Sequence, residues 1–488
     1  MELILAGHNY KYAVEQIMLA LFPQERPEYG EPKENGMSAK SSLSFGGAFA
    51  QSVTVIKTDR GEFRGIARTS LKRLTGSLVT ERLLQRLVKQ SFFRAAEGIL
   101  QNPPVWGSLT GIRPAKIAES ALSSGATTAS TAKMLVDKYY VSPERAVMCV
   151  DAAQAALTVK RTLKPRDVSV YIGIPFCPSR CAYCSFVSNS VAKSFGLVDP
   201  FTETLLNEIA LAADTINELG LCVTSVYIGG GTPTALPADA LGSIMASAKR
   251  LFDLSQTREY TVEAGRPDTV TREKLDVIKR MGADRVCVNP QSMSVDVLSA
   301  IGRRHTPEDA INAALQVKRG GFALNMDIIA GLPEDTREGF KATLDTVIGV
   351  SPENITVHTL SLKKGSRIML ENPVLPDGPA VAHMLGYAGE RLRESGYAPY
   401  YLYRQKYTSG GFENIGWSRP GHEGIYNICM MEELCTVVSL GGGGVTKIVT
   451  PDGRIERMFN AKYPREYILQ KEKTKAKFER IKELYRGM

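Results

Sequence analysis

The stretch GIPFCPSRCAYCSF (residues 173–186) decides the fold. It places Cys177, Cys181 and Cys184 within eight residues, and neither a histidine nor a fourth cysteine lies nearby. The glycine and two prolines of the same stretch indicate a loop, where burial does not explain a cluster of thiols. The three cysteines are therefore predicted to hold a metal or a metal cluster.

Two kinds of metal centre remain open at this point. Structural zinc takes four ligands, commonly from paired C-x2-C units. The chain has no second such pair and no histidine closer in sequence than His305, so a zinc site would need a distant fourth ligand. A 4Fe-4S cluster normally takes four cysteines. Three thiolates would leave one iron open to a ligand from solution.

Composition places the chain among globular enzymes with more than one domain. Its 488 residues exceed one ordinary core, and it is 43% hydrophobic and 23% charged. The net charge of +9 is modest and its basic residues are spread along the chain. This pattern favours anionic small molecules and argues against nucleic acid.

The sequence also predicts a cytoplasmic protein without a membrane span. The amino terminus lacks the pattern of a signal peptide, and no run of about 18 apolar residues occurs. Eight cysteines are too few for a disulfide scaffold in a chain of this length. Those outside the cluster are predicted to be buried small hydrophobic residues: Cys149, Cys222, Cys287, Cys429 and Cys435.

Three regions differ in their patterns. Residues 1–165 contain SVTVIKTDRGEFRGIA, which alternates like a β-hairpin, and a helical repeat over residues 81–100. No set of residues in this region looks catalytic. We therefore expect an accessory α/β domain.

Residues 166–370 have a regular α/β pattern. Six short β-branched runs are separated by intervals long enough for one helix each, which predicts a parallel sheet covered by helices. Six units are fewer than the eight of a full barrel, so we expect a partial (β/α)6 barrel. One helix is predicted to begin at Asp199 and Pro200 and to end at Gly220.

Polar residues follow the strands of this region. Because ligands of parallel α/β folds lie at the carboxyl ends of the strands, these residues are expected to converge on one site. They are Cys177, residues 229–232, Glu263, Gln291 and Asp327.

Residues 371–488 lose the alternation of strands and helices. We expect a smaller, mainly helical domain that covers the substrate. Its tail, from residue 470, is predicted to be a solvated surface helix with an apolar seam of Phe478, Ile481 and Tyr485.

The C-x3-C-x2-C run after the first strand and GGGTPT after the second resemble the radical S-adenosylmethionine (SAM) enzymes. The resemblance implies a 4Fe-4S cluster with Cys177, Cys181 and Cys184 as ligands, whose open iron is chelated by SAM. One electron from the cluster then cleaves SAM to a 5′-deoxyadenosyl radical. The protein orients these cofactors and excludes water.

A closer resemblance is to the oxygen-independent coproporphyrinogen III oxidase-like family, in its coproporphyrinogen dehydrogenase-like branch with an extra amino-terminal section. It runs through VYIGIPFCPSRCAYC, YIGGGTPT, VEAGRPD, VNPQSM, IGRRH and NMDIIAGLPEDT. The resemblance implies SAM contacts for Tyr171, Tyr183, Gly230, Gly231, Thr232, Glu263, Gln291, Arg303 and Asp327.

The family's reaction implies a function in haem biosynthesis. A hydrogen atom is removed from a propionate side chain of coproporphyrinogen III, which then loses carbon dioxide and one electron and keeps a vinyl group. The product is protoporphyrinogen IX. The implied partners are this tetrapyrrole substrate and reduced flavodoxin or ferredoxin as electron donor.

One departure from the family pattern opens two alternatives. Family members with decarboxylase character continue to a fourth cysteine, whereas Cys184 is followed here by Ser185 and Phe186. Gly173 likewise replaces a common histidine. Both changes resemble the haem-chaperone-like branch, so a haem carrier is the first alternative. Another radical reaction on a tetrapyrrole, such as methylation, is the second.

Several residues have plainer interpretations. Salt bridges with Arg266 or Arg285 would also satisfy the carboxylates at the strand ends. His305 is expected to be a hydrogen-bonded structural histidine, and His358 is left outside the site. The glycines at 441–444 suit either a flat macrocycle or a flexible turn.

Overall fold

The chain divides into two units. The computed structural model describes residues 1–30, 36–186, 189–363, 365–371, 373–405, 409–451 and 453–487. Unit 1 comprises Met1–Pro114, Ser120–Val150 and Gly410–Phe412, and unit 2 comprises Ala115–Glu119, Asp151–Ser409 and Glu413–Met488. The proposed division into residues 1–165, 166–370 and 371–488 stays a prediction.

Unit 1 is built on a four-stranded sheet in the order β1-β2-β3-β4. β1 is parallel to β2, and the other pairs are antiparallel, including the predicted β3–β4 hairpin. The strands are β1 (Glu2–Ala6), β2 (Ser38–Gly46), β3 (Phe49–Thr58) and β4 (Gly61–Ser70). The helices up to residue 162 are α1 (Lys11–Leu21), α2 (Ser77–Glu97), α3 (Ala115–Ser123), α4 (Thr128–Tyr139) and α5 (Pro143–Thr162).

Helix α2 packs closely on this sheet because β4 has a glycine at the crossing point. A Cβ atom on Gly65 would lie 2.1 Å from the backbone oxygen of Ser91. The hydroxyl of Ser91 in turn lies 2.9 Å from that of Ser52 and 2.8 Å from that of Thr54. Buried apolar side chains from α1, α2 and β3 surround this contact, among them Ile17, Ile56, Val88 and Phe92.

Unit 2 contains the predicted parallel strands. All six β-branched runs form neighbouring strands, and each pairs in parallel with the next along the chain. They are β5 (Asp167–Ile174), β8 (Cys222–Gly230), β9 (Glu259–Glu263), β10 (Arg285–Cys287), β11 (Ala323–Ala330) and β12 (Asn354–Thr359). The short strands β6 (Phe176–Cys177) and β7 (Asn189–Ser190) pair beside them.

Helices connect these strands. They are α6 (Val198–Glu218), α7 (Ala238–Leu251), α8 (Arg272–Arg280), α9 (Val295–Ala300), α10 (Pro307–Arg319), α11 (Arg337–Val350) and α12 (Arg367–Glu371). Thr271, Thr306 and Thr336 cap α8, α10 and α11 through their side-chain oxygens.

The predicted start of α6, with Asp199 as the cap and Pro200 as the first helical residue, is wrong by two positions. The cap is Leu197 and the helix begins at Val198. A 3-10 turn runs directly into α6, so Asp199 lies within the first turn of the helix and does not cap it.

The carboxyl-terminal region adds strands to the same sheet. They are β13 (Ala398–Arg404), β14 (Glu413–Ser418), β15 (Thr436–Gly441), β16 (Val445–Val449) and β17 (Ile455–Phe459). The helices of this region are α13 (Gly378–Glu394), α14 (Ile425–Glu432), α15 (Pro464–Leu469) and α16 (Lys471–Arg486).

The full sheet is open, as expected for a partial barrel. Across the described residues its order is β13-β14-β12-β11-β10-β9-β8-β5-β15-β16-β17, and its two edge strands do not pair with each other. β15 is parallel to β5 and so extends the parallel part of the sheet. None of the described helices combines the length and apolar character that crossing a membrane requires.

The sequence predicts that helix α16 is a solvated surface helix. In the structure it carries a buried ion pair that this prediction missed. Phe478 and Ile481 are buried, as the apolar seam requires, but Lys477 is buried as well. Its ammonium group donates to the buried carboxylate of Glu208 on α6 and to the backbone oxygen of Ser439 at 3.0 Å. Buried charges are tolerated when paired and hydrogen-bonded in this way.

The Glu208 carboxylate is fully engaged by groups from several elements. The backbone N–H of Gly441 donates to it at 2.7 Å, and the side-chain amide of Asn460 donates at 2.9 Å. The hydroxyl of Tyr467 on α15 donates to the same carboxylate. One buried acidic group therefore fixes α15, α16 and the end of β15 against α6.

We predict that Lys477→Met destabilises the protein by about 3 kcal/mol, because it leaves the Glu208 carboxylate buried without a counter-ion. Urea unfolding followed by circular dichroism measures the change. Lys475→Met is the matched control, since Lys475 lies on the same helix but is 62% exposed in an i,i+3 pair, and should change stability by less than about 1 kcal/mol. Equal stability of the two variants would show that the pair contributes nothing.

Candidate functional site

An open pocket lies at the carboxyl ends of the parallel strands of unit 2. Its empty volume is about 1070 Å³. Residues that follow β5, β8, β9, β10, β11 and β12 contribute to its wall, as the positions of the polar residues predicted. The predicted site residues that line it are Cys177, Cys181, Tyr183, Cys184, Gly230, Gly231, Thr232, Glu263, Gln291, Arg303 and Asp327.

Backbone hydrogen bonds fix the loop that carries the cysteines. The N–H of Ala182 donates to the backbone oxygen of Ile301 at 2.9 Å, and that of Cys184 donates to the oxygen of Cys181 at 3.1 Å. The hydroxyl of Thr232 donates to the sulfur of Cys177 at 3.5 Å. The loop therefore presents its three thiols to the pocket from a defined backbone.

Two arginines place positive charge beside the thiols. Burial opposes the thiolate of Cys181, but Arg303 and Arg266 outweigh it and lower its pKa below the usual value. Arg266 also approaches the sulfur of Cys181 at 3.9 Å. Burial instead raises the pKa of Cys184 to about 11. In the described part of the chain, no three His, Cys, Asp or Glu side chains are arranged to hold one metal ion.

The glycines after β8 let this strand end pack against the cysteine loop. A Cβ atom on Gly231 would lie 2.4 Å from the backbone oxygen of Phe176 and 3.0 Å from the sulfur of Cys177. Gly230 has φ +111°, which side chains disfavour. Close packing within the protein thus accounts for these glycines, in addition to their exposure in the pocket.

Two carboxylates, Glu263 and Asp327, face the pocket and form no ion pair with any described arginine. Burial, followed by the charge of Asp327, raises the pKa of Glu263 to about 7. The hydroxyl of Tyr227 lies 3.4 Å from Glu263. The alternative of salt bridges with Arg266 or Arg285 is wrong, because Arg266 pairs with Asp268. Arg285 donates to Asn354 and to the backbone oxygen of His422.

His358 belongs to this site, although the sequence analysis left it outside. It lines the pocket, and its Nε2 lies 3.6 Å from the carboxylate of Asp327. Its Nδ1 lies 3.3 Å from the side-chain oxygen of Asn414. Burial disfavours the charged ring, but Asp327 outweighs it and raises the pKa of His358. The only signal in the sequence was its place on β12, where alternate side chains face one side of the sheet.

Four buried polar atoms in the pocket wall have no hydrogen-bond partner among the residues that the structure describes. They are Asn289 Oδ1, Gln291 Oε1, Arg303 Nε and Asn414 Nδ2. Gln291 also has φ +68°, a conformation that is uncommon for a residue with a side chain. Unpaired buried polar groups are rare in native proteins, and backbone outliers concentrate at functional sites. The wall is therefore suited to a ligand with both donors and acceptors.

The two tyrosines expected to contact SAM lie in different places. Tyr183 lines the pocket, and its hydroxyl accepts a hydrogen bond from Arg303 at 2.9 Å. Tyr171 does not line the pocket and stacks on Tyr227 and Tyr426, with ring centroids 6.2 and 6.1 Å apart. The structure thus gives the Tyr171 ring a packing contact with two other tyrosines, and the expected SAM contact stays a prediction.

Two further sequence expectations concern residues outside the pocket wall. His305 is buried, but neither ring nitrogen has a hydrogen-bond partner among the described residues, unlike the hydrogen-bonded histidine expected; burial followed by the charge of Arg303 lowers its pKa to about 4. The glycines at 441–444 connect β15 to β16 through a turn, as one of the two alternatives predicted, and the first two of them pack against the segment that leads into the cysteine loop. Cβ atoms on Gly441 and Gly442 would lie 2.2 Å from Gly173 O and 2.6 Å from Pro175 Cγ, respectively.

Comparison with known proteins gives consistent matches. The sequence model of the Radical SAM superfamily matches residues 171–347. The oxygen-independent coproporphyrinogen-III oxidase-like protein HemZ of Bacillus subtilis (strain 168) is 39% identical over 385 residues, which cover 77% of this chain and 76% of the relative. The heme chaperone HemW of Escherichia coli (strain K12) is 28% identical over 307 residues, covering 63% and 77%.

A solved structure shares the fold. Coproporphyrinogen III oxidase (HemN) from Escherichia coli, a radical SAM enzyme, superposes with a TM-score of 0.53 at 21% identity and covers 66% of this chain and 73% of its own. Together with the cysteine loop at the strand ends, these matches identify the family. The chain belongs to the radical SAM superfamily and, within it, to the oxygen-independent coproporphyrinogen III oxidase-like family.

Proposed function

We propose that this protein is a radical SAM enzyme that decarboxylates the propionate side chains of coproporphyrinogen III to vinyl groups. The observation that carries the proposal is the convergence, in one pocket, of the three cysteines with polar side chains from the ends of the parallel strands, several of whose atoms have no hydrogen-bond partner among the described residues. The 39% identical relative, an oxygen-independent coproporphyrinogen-III oxidase-like protein, supports the choice of substrate.

The family implies a 4Fe-4S cluster and SAM, and the residues of the pocket fit both. Cys177, Cys181 and Cys184 are the proposed cluster ligands. All three thiols line one pocket, and three thiolates suit a 4Fe-4S cluster that leaves one iron open for SAM. When bound, the cluster and SAM together supply the one-electron chemistry that removes a hydrogen atom from the substrate.

The unpaired atoms of the pocket match the groups that SAM offers. SAM carries an ammonium group, a carboxylate, ribose hydroxyls and an adenine ring, so it both donates and accepts hydrogen bonds. Gln291 Oε1 and Asn289 Oδ1 need donors, and Arg303 Nε needs an acceptor. Glu263 is placed to accept from an amine or hydroxyl, and Tyr183 provides a ring for the adenine.

The remaining parts of the wall suit the reaction of a propionate group. Ile329 and Leu360 are buried apolar residues that line the pocket, and they limit the access of water. After it loses its hydrogen atom, the propionate side chain releases carbon dioxide and passes one electron to an external one-electron acceptor. A vinyl group remains. Reduced flavodoxin or ferredoxin is the proposed donor of the electron that the cluster requires.

A haem carrier is the second candidate, and Phe186 favours it. Ser185 and Phe186 occupy the positions where decarboxylating relatives continue to a fourth cysteine, and the Phe186 ring is 66% exposed at the pocket. A relative with 28% identity is named a heme chaperone. An exposed aromatic ring offers a surface on which a flat macrocycle can stack.

Anaerobic incubation of the reconstituted protein with SAM, reduced flavodoxin and coproporphyrinogen III tests the proposal. We expect vinyl-bearing products and one 5′-deoxyadenosine released for each hydrogen atom removed, measured by liquid chromatography and mass spectrometry. Stoichiometric haem binding without turnover would instead support the carrier. Methylated linear tetrapyrroles would support a different radical reaction.

The proposed cluster ligands give a second prediction. Cys177→Ala, Cys181→Ala and Cys184→Ala should each reduce bound iron well below the roughly four atoms per chain of a 4Fe-4S cluster and abolish SAM cleavage. Iron, sulfide and zinc assays on anaerobically prepared protein provide the measurement. Cys222→Ala is the control, because Cys222 lies at the opposite end of β8. Zinc in place of iron in the wild-type protein would contradict the proposal.

Glu263 gives a prediction about pH. Its pKa of about 7 predicts that SAM affinity rises as the pH passes from 6 to 8, since the ionised carboxylate accepts from the cofactor. Glu263→Gln should remove this dependence in equilibrium dialysis with labelled SAM.

Because the folded-state pKa is raised, the stability that the neutral carboxyl provides is lost as the pH rises through 7. At pH 8 the SAM-free variant should therefore melt about 2 °C or more above wild type; a lower melting temperature would contradict this.

A further inference from the structure

Two of the cations that line the pocket are largely engaged by the protein. Arg266 donates to the two carboxylate oxygens of Asp268 at 2.9 and 3.0 Å. Arg303 donates to the backbone oxygen of Asn289 at 2.6 Å and to the hydroxyl of Tyr183 at 2.9 Å. These contacts direct both guanidinium groups toward the cysteine loop and the strand ends. Arg266 is thus paired with Asp268, and the Nε of Arg303 that has no partner among the described residues is the atom assigned above to an acceptor on the cofactor.

The ring of His358 is likewise engaged by other side chains of the protein. It pairs with Asp327 at 3.6 Å and contacts the side-chain oxygen of Asn414 at 3.3 Å. The charge of a protonated His358 is therefore balanced by a neighbouring carboxylate. With Glu263 close to Asp327, this side of the pocket disfavours a further anion.

Lys363 is different from these cations. It lines the pocket just beyond β12, and its ammonium group forms no hydrogen bond or ion pair with any residue that the structure describes. Partial burial lowers the pKa of Lys363, and the charge at Cys184 offsets part of this effect. An ammonium group with three donors and no partner among the described residues offers a binding point for an anion.

The pocket that Lys363 lines also contains apolar side chains. Leu360 and Ile329 are buried and line the same pocket, and the exposed ring of Phe186 lies on its wall. A ligand that matches this part of the pocket has an apolar body and a negatively charged group. Such a ligand is an amphiphilic carboxylate, and lysine suits it because its flexible stem adapts to a mobile acid group.

We propose that Lys363 binds a carboxylate of the substrate, namely a propionate group of the tetrapyrrole. This inference rests on the function proposed above. Under this assignment the two ligands bind different parts of the pocket. The polar groups of the strand ends bind the cofactor, and the lysine beyond β12 binds the substrate. The competing interpretation is that Lys363 only balances the negative charge of a cluster beside Cys184, which would affect the reduction potential and not substrate affinity.

Fluorescence titration of the cluster-containing protein tests this assignment. The probes are coproporphyrin III, the fluorescent oxidised form of the substrate, and its tetramethyl ester, which has the same ring but no carboxylates. The variants are Lys363→Met, which keeps the length of the side chain without its charge, and Lys363→Arg, which keeps the charge. Lys341→Met is the control, because Lys341 lies on α11 over the ring of Tyr387.

We expect wild type to bind the free acid more tightly than the ester. Lys363→Met should weaken binding of the acid by about three- to tenfold, the range for one charged hydrogen bond at a partly exposed site, and leave ester binding unchanged. Lys363→Arg should restore most of the loss, and Lys341→Met should behave as wild type. The reduction potential of the cluster should be the same in all variants.

Three results would overturn the assignment. They are unchanged binding of the acid by Lys363→Met, an equal loss for acid and ester, and a shifted cluster potential with unchanged binding. In each of these cases the wild-type protein still binds and converts the tetrapyrrole, so the proposed function stands. If wild type binds neither probe and converts no coproporphyrinogen III, the proposed function fails and the assignment of Lys363 fails with it.

Discussion

The site depends on the contact between the cysteine loop and the end of the neighbouring strand. The N–H of Gly231 donates to Ile174 O and the N–H of Thr232 donates to Phe176 O, both at 2.7 Å. Because Gly231 has no side chain, the two backbones approach closely enough for these bonds. The loop therefore cannot shift without disrupting the ends of β5 and β8. The position of the thiols is set by the sheet and not by the loop alone.

The sheet in turn brings unlike charges to one edge. Parallel strands end on the same side, so the arginines near the thiols and the carboxylates of Glu263 and Asp327 share one pocket. Part of this arrangement is unfavourable in the protein alone, as the raised pKa of Glu263 shows. Unpaired amide and guanidinium atoms add to the cost. Such strain is typical of sites that become fully satisfied only when a ligand is bound.

Sequence reasoning predicted the parts of the fold with short-range patterns. The six parallel strands follow from β-branched runs of strand length, and their polar ends predicted most of the pocket wall. It missed the features that need distant partners. β15 pairs with β5 more than 250 residues before it, Lys477 looks solvated until Glu208 is known, and nothing near His358 indicates its contact with Asp327. The SAM contact that the motif implies for Tyr171 stays a prediction, and its stacking on Tyr227 and Tyr426 is a further long-range contact that the sequence does not indicate.

The buried contact between Glu208 and Lys477 joins groups 269 positions apart in the chain. During synthesis the carboxylate on α6 has no cation to neutralise it until residue 477 has left the ribosome. The same carboxylate holds the end of β15, which packs against the segment leading into the cysteine loop. Folding of the edge that carries the cysteine loop therefore depends on a segment 269 positions beyond Glu208 in the chain, and we expect an emerging chain to hold its three thiols at fixed positions only after that segment has been synthesised.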